Sequence, residues 1–454
     1  MKKFAIIFST VALAAVLFTG CGNSQNSQLA SEVMDFINDA GAVREHLGNV
    51  ADAIQDAANQ AAANQSTANQ GTASQGDNQA QNNNANNQPN DANDDIEDEP
   101  EDEPEDEEEP VRPFPQFTTF SLGSGSAFGL MPNGDLYGWG NASYYRLATP
   151  VGDNILYPTF IMSNVRQIET ANGALVTAIR TNGDLYTWGS NPYGRLGDGT
   201  RDDRYTPAHI MSNVTNVSAG HNHAAAITEE GVLYTWGRNW DGELGDGTTT
   251  NRSEPTRIME NIVAVAAGVS HTIALDADGY VWAWGHNDFG ELGIGNRNNR
   301  SEPVQVPGLS NIASIGAGYN VSLAVCHDGI LWMWGRGNEG QIGDGRSTAR
   351  VLSPVRVMDN VIYATVWIAT AAIQDNNSLW LWGLNDNGAV GNGTTSNRNT
   401  PQRIMDNITS VYTSRVATFA INDRGEIFKW GNNDLGILGD GTTISQHSPM
   451  QAAQ

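Results

Sequence analysis

The dipeptide Trp-Gly occurs at Trp139, Trp188, Trp236, Trp284, Trp334, Trp382 and Trp430, with successive spacings of 49, 48, 48, 50, 48 and 48 residues. A fixed period near 50 residues marks a propeller or array, in which no unit can bury its apolar face until its neighbours arrive. Any function of the chain has to be built on that repetition.

Aligned on Trp-Gly, the third unit reads Val217-Ser218-Ala219-Gly220, His223 to Thr228, Val232 to Gly237, Gly242 to Gly247 and Pro255 to Met259, which predicts four short strands. Asn133-Gly134, Asn182-Gly183, Asp278-Gly279 and Asp328-Gly329 mark the same tight hairpin in four units, with Glu230-Gly231 a weaker version in a fifth. Two residues before each Trp stands another aromatic: Tyr137, Tyr186, Tyr234, Trp282, Trp332, Trp380 and Phe428. Strand alternation puts both rings on one face. Such a pair buries roughly 300–500 Å² per unit, on the order of 10 kcal/mol gross at about 25 cal/mol per Å², so these rings are expected to pack blade on blade. Strands led by Pro158, Pro207, Pro255, Pro303, Pro354, Pro401 and Pro449 complete the count.

The units resemble the repeats of the regulator of chromosome condensation family. Val265-Ala266-Ala267-Gly268, His271-Thr272-Ile273-Ala274-Leu275 and Asp278 to Gly285 follow its pattern nearly letter for letter. Repeat 1 departs from it, with Asn141 to Pro150 in place of Gly-x-Leu-Gly-x-Gly, and repeat 6 places Trp367 and Ala369 where the Ala-Gly turn is expected. The resemblance implies a seven-bladed β-propeller over residues 113–454. The family's founding member exchanges nucleotide on a nuclear GTPase through residues outside the repeat consensus, and none of them carries over. A similar fold also serves as a secreted bacterial inhibitor of β-lactamases, so fold alone does not fix function.

The N-terminal part is of another kind. Lys2 and Lys3, an uncharged run from Phe4 to Phe18 and Thr19-Gly20-Cys21 form a signal segment too short for a comfortable membrane span. Phe18-Thr19-Gly20-Cys21 resembles the lipobox of bacterial lipoproteins, which makes Cys21 the expected lipidation site and places the chain on the extracytoplasmic side of a bacterial membrane. Over 21–61, Val33, Phe36, Ala40, Val43, Leu47, Val50, Ile54, Ala57 and Ala61 step by three and four, a heptad seam. That seam fits a self-associating stalk or a lone membrane-proximal helix. Gly41, Gly48 and the seam alanines weigh against either. Residues 62–112 pass from an Ala/Asn/Gln tract to an acidic run and are expected to form a disordered tether. Loose carboxylates there lack the fixed geometry of a calcium cage.

The formal net charge is -27, from 51 acidic and 24 basic residues. Thirteen of those acids fall between Asp94 and Glu109, so the repeat region is only mildly acidic. Neither part offers the basic stripe that a phosphate backbone requires, which argues against nucleic acid. With Cys21 acylated, Cys326 has no partner, and its apolar surroundings mark a packed thiol.

Catalysis would need asymmetry in a symmetric array. His223 and His271 share one repeat slot and read as structural, with His221 the extra one. Asp198, Asp246, Asp344 and Asp440 share another slot and read as turn residues. No nucleophile elbow or His-Glu-x-x-His pair occurs, and no catalytic residue, metal site or cofactor is expected. The asymmetry lies in the loop after Trp-Gly, which carries Tyr144 with Tyr145, Tyr193, Trp240 and Phe289 in repeats 1 to 4, then Glu339, Asn387 and Leu435. These aromatics are either lids on the rim or anchors for a partner.

The resulting expectation is an all-β, seven-bladed β-propeller preceded by a signal peptide, a short helical segment and a disordered acidic linker. It would act as a membrane-anchored binding module, with an envelope or extracellular protein or glycan as partner. An envelope-assembly role through residues 33–61 and a hydrolase or lyase on the propeller scaffold are the rival readings.

Overall fold

The computed structural model of the protein describes residues 113–150, 154–170 and 174–453. Cys21, the signal segment, the heptad seam and the acidic run lie outside the described residues.

Among the described residues, 28 strands form seven four-stranded antiparallel sheets, each made from four consecutive strands. In blade 3 these are Val214–Ala219, His223–Thr228, Leu233–Gly237 and Arg252–Met259. Composition explains their order. The second strand, His-Ala-Ala-Ala-Ile-Thr, is buried along its whole length because neighbouring blades cover both of its faces. The fourth strand is half exposed and forms the outer edge. First strands pack against one another in sequence around the ring, and Thr119–Leu122 meets both Val165–Thr170 and Ile408–Thr413. The circle therefore closes around a central channel.

The outer strands do not begin at their prolines. Arg252 leads Pro255 by three residues, and in each of the seven outer strands Pro is the fourth residue. Register breaks between Thr235 and Gly237, opposite Pro255. A residue without an N–H is tolerated at an edge strand where the ladder is interrupted, so Pro marks the irregularity and not the start.

All seven repeat tryptophans are fully buried. The aromatic two residues earlier is half-buried on the same side of its strand, as alternation requires. Each indole also spans a blade junction. Trp188, Trp236, Trp284, Trp334, Trp382 and Trp430 donate to the backbone carbonyls of Arg146, Arg195, Glu243, Glu291, Gln341 and Ala389 in the preceding blade, at 2.7–3.0 Å. Trp139 completes the set by donating to Ile437 at 2.7 Å. The accepting loop must come very close. Gly245 has φ +75, and a Cβ on it would lie 2.7 Å from the Trp284 Nε1. Repeat 1 makes the same turn without glycine: Tyr145 and Ala148 hold φ 61 and 58 in the slots of Gly194 and Gly197. The departure seen in the sequence is thus one of composition and not of backbone path.

The lead-in to the first strand reinforces the closure. Phe114 N donates to Ala453 O at 2.8 Å, and Phe114, Phe117 and Phe120 surround Trp139. Lys429, 1% exposed, donates to Leu438 O at 2.6 Å beneath the Phe114 ring, 3.9 Å from its centroid. Thr187 and Thr235 make the equivalent bond in blades 2 and 3, to Leu196 O and Leu244 O.

Candidate interaction face

In an antiparallel meander the turn between strands one and two and the loop between strands three and four lie at the same end. Every loop after Trp-Gly therefore opens onto one face of the propeller, beside residues such as His221 and Tyr319. The opposite end carries the hairpins between strands two and three, with Asp135, Asp184, Glu229, Glu230, Asp278, Asp328, Asp375 and Asp423 spread over all seven blades. Every blade thus places at least one acid in its hairpin at one end, and the other end carries the irregular loops.

Tyr144 and Trp240 stand 48% and 46% exposed on that face, high for side chains of their size. Tyr145, Tyr193 and Phe289 are half-buried. Tyr193 of blade 2 meets Trp240 of blade 3 edge to face at 5.2 Å, and Tyr145 lies 6.1 Å from Tyr205 on the next outer strand. Arginines are interleaved with the rings: Arg146 at Tyr144, Arg238 at Trp240, and both Arg336 and Arg350 at Phe289, at 5.1–5.7 Å from the ring centroids. Sequence reasoning missed these cations. Their signal is the second position after Trp, which reads Arg238, His286 and Arg336 in blades 3 to 5, and the seventh, which reads Arg146 and Arg195 in blades 1 and 2.

The loops are held rigidly. Glu243, fully buried, receives Arg238 Nε on one oxygen at 2.7 Å and the Asp241 backbone N–H on the other at 2.8 Å. Glu291 repeats this in blade 4 with His286 at 2.7 Å and the Phe289 N–H at 2.9 Å. Blade 5 substitutes Gln341, which accepts from the Glu339 N–H at 3.0 Å while Arg336 pairs with Glu339. A buried charge answered on both oxygens fixes the loop, and an aromatic on a fixed loop loses little further entropy on binding.

His221 sits between Arg195 and Arg238, and burial together with these cations pushes its imidazole down to about 3. His223 and His271 are fully buried, with Nε2 at 2.9 and 3.0 Å from the hydroxyls of Thr272 and Ser322. Those hydroxyls donate onward to Glu243 O and Glu291 O, so the histidines must supply the proton at Nε2. Burial pushes both imidazoles down to about 3, and they are structural struts. Asp198, Asp246 and Asp440 accept from the backbone and side chain of the Thr two residues on, a turn-forming role. Among the described residues no group of three or more His, Cys, Asp or Glu is arranged to hold a metal ion.

Seven blades with dissimilar loops on one face make an RCC1-like propeller, a fold that is usually a protein-interaction module. The chain belongs to the RCC1-like domain family, whose model matches residues 18–370, and the regulator of chromosome condensation (RCC1) repeat matches residues 376–421. No curated protein matches it. Among solved structures it is similar to human WBSCR16, at 19% identity and TM-score 0.63, over 70% of this chain and 95% of that one. It is also similar to yeast RCC1 (Prp20) bound to Kap60, at 22% identity and TM-score 0.64, over 71% and 84% of the two chains. A second structure of Prp20p from Saccharomyces cerevisiae, described with its binding to Gsp1p and histones, matches at 23% identity and TM-score 0.63, over 72% and 87%. At these identities the likeness speaks for the fold alone.

Proposed function

We propose that the protein is a non-enzymatic interaction module, held at the outer side of a bacterial membrane through lipid on Cys21, whose loop face binds an envelope or extracellular protein. The observation that carries this reading is the aromatic–arginine arrangement around Trp240, where an exposed indole stands over Arg238 against Tyr193 on a loop fixed by Glu243. Trp, Tyr and Arg dominate the energetics of protein interfaces, and seven-fold repetition does not require them there. Blades 6 and 7 place Asn387 and Leu435 at the same loop position, so the face is graded and not uniform.

The lipobox-like residues before Cys21 support the anchor, and the tract that follows supplies reach. Capture of envelope proteins by the full chain, compared with the Trp240→Ala and Tyr144→Ala variants, tests the reading. A protein retained by the parent and lost by both variants supports it, whereas equal retention by all three contradicts it. Fatty-acid labelling that marks the parent and not Cys21→Ser tests the anchor separately.

A further inference from the structure

The central channel contains chemistry that the loop face does not use. Glu169, on the first strand of blade 2, points into a cavity of about 230 Å³ bounded by the first strands of blades 2 to 6. Gln167 hydrogen-bonds its carboxyl, and Asn216, Ser218, Ser314 and Thr365 supply neutral polar walls. Tyr363 lies across the channel, and Tyr412 stands close enough for the Glu169 charge to act on both phenols. Tyr363 remains 42% exposed, so the channel is open to small molecules.

Elsewhere in the propeller, arginine meets carboxylate repeatedly, as at Arg238–Glu243 and Arg336–Glu339. Among the described residues Glu169 has no such ion pair. Its remaining surface faces a confined space, and burial pushes its carboxyl up to about 7, the behaviour of a carboxylate that lacks a countercharge. The cavity therefore presents one carboxylate, several hydrogen-bond acceptors and the Tyr363 ring, and among the described residues no Lys, Arg or His lines it.

We propose that this channel binds a small organic primary amine, with the ammonium group paired to Glu169 and flanked by Tyr363. One carboxylate matches one monovalent cation. A hard divalent ion would demand several anionic oxygens, which the channel does not offer. An ammonium group supplies three donors to the waiting acceptors and is attracted to tyrosine faces. The volume lies below the roughly 300–1,000 Å³ of drug-sized sites, so the ligand is a compact amine and not a peptide.

Calorimetric titration of the full chain with butan-1-amine tests the proposal, with butan-1-ol as the uncharged isostere. The expected result is saturable one-site binding of the amine in the micromolar-to-millimolar range, no binding of the alcohol, and at least about a tenfold loss for Glu169→Gln. Glu169→Gln should melt no lower than the parent at pH 8, because it removes a desolvated charge, so lost binding cannot be ascribed to unfolding. Tyr363→Ala should weaken the amine by several-fold. The absence of saturable binding to the parent overturns the proposal, as does equal affinity of Glu169→Gln or equal binding of the alcohol.

Discussion

The Trp139 indole donates its N–H to the carbonyl oxygen of Ile437 at 2.7 Å, across 298 residues of chain. Six other tryptophans make the same bond to the preceding blade, so this one turns a row of repeats into a ring. Around it Phe114, Phe117, Phe120 and Phe419 form an aromatic cluster that, among the described residues, no other junction possesses. The closure is where the repeat sequence alone gives least, and non-repeat residues supply the packing.

Trp139→Phe keeps most of the buried surface but leaves the Ile437 carbonyl without its donor. A loss of about 2–4 kcal/mol is expected from the missing hydrogen bond and the residual cavity. Denaturant titration beside Trp284→Phe should give comparable losses, and an unchanged midpoint for Trp139→Phe would mean that the indole does not carry the closure.

Glycine beneath each indole is a steric requirement. Gly439 has φ +65, and a Cβ there would lie 2.5 Å from the Trp139 Nε1. Gly439→Ala should cost about 2–4 kcal/mol, through left-handed strain and displacement of the ring. Repeat 1 offers the inverse test. Ala148→Gly relieves a left-handed alanine, and after the added flexibility of the unfolded chain it should raise stability by about 0.5–1 kcal/mol. A destabilised Ala148→Gly would show that the methyl packs better than the backbone suffers.

His223 and His271 stay neutral in the folded protein down to about pH 3, whereas unfolded histidines take up protons near 6.5. The unfolded state then binds more protons, so stability falls as pH drops from 6.5 toward 3, by about 1.4 kcal/mol per pH unit for each histidine. Glu169, raised from 4.5 to about 7, acts in the opposite sense between those values, because there the folded state holds the extra proton. His221, likewise held down to about 3, acts with them, and three histidines outweigh one glutamate. Removing one of them with His271→Gln should flatten the slope measured by denaturation between pH 4 and 6.5, and an unchanged slope would place the acid sensitivity elsewhere.

Burial pushes the Lys429 amine down from 10.5 to about 8, with the Asp440 charge acting weakly against it. Between those values the unfolded chain holds the extra proton, so this residue makes stability rise with pH from about 8 to 10.5. Lys429→Thr places in blade 7 the residue that Thr187 and Thr235 provide in their blades, and should abolish that rise. A parent protein and a Lys429→Thr variant with identical profiles above pH 8 would show that the amine is better solvated than its surroundings imply.

The blade count, the hairpins and the packing role of the paired aromatics were legible in the sequence because they are periodic, and periodicity survives without coordinates. The start of the outer strands was not, because Pro255 and its counterparts punctuate an irregular ladder from within. Nor was the path of repeat 1, where Tyr145 and Ala148 take up glycine conformations that no propensity predicts. The aromatic loop residues were identifiable by comparison between repeats, but their arginine neighbours were not, since Arg350 reaches Phe289 from the following blade. Glu169 gave no signal at all. Its meaning depends on strands that face it across the channel, and sequence spacing carries no trace of that.

The most direct measurement of the central claim sets Trp240→Ala beside Trp236→Ala, reading thermal stability and partner capture on the same preparations. Trp236 is fully buried and holds a blade junction, so its loss should cost about 3–5 kcal/mol and threaten folding. Trp240, half exposed on the loop face, should melt close to the parent yet lose about 2 kcal/mol or more of partner affinity. A Trp240→Ala protein that melts like the Trp236 variant, or that holds the partner as tightly as the parent, would contradict the assignment of this face.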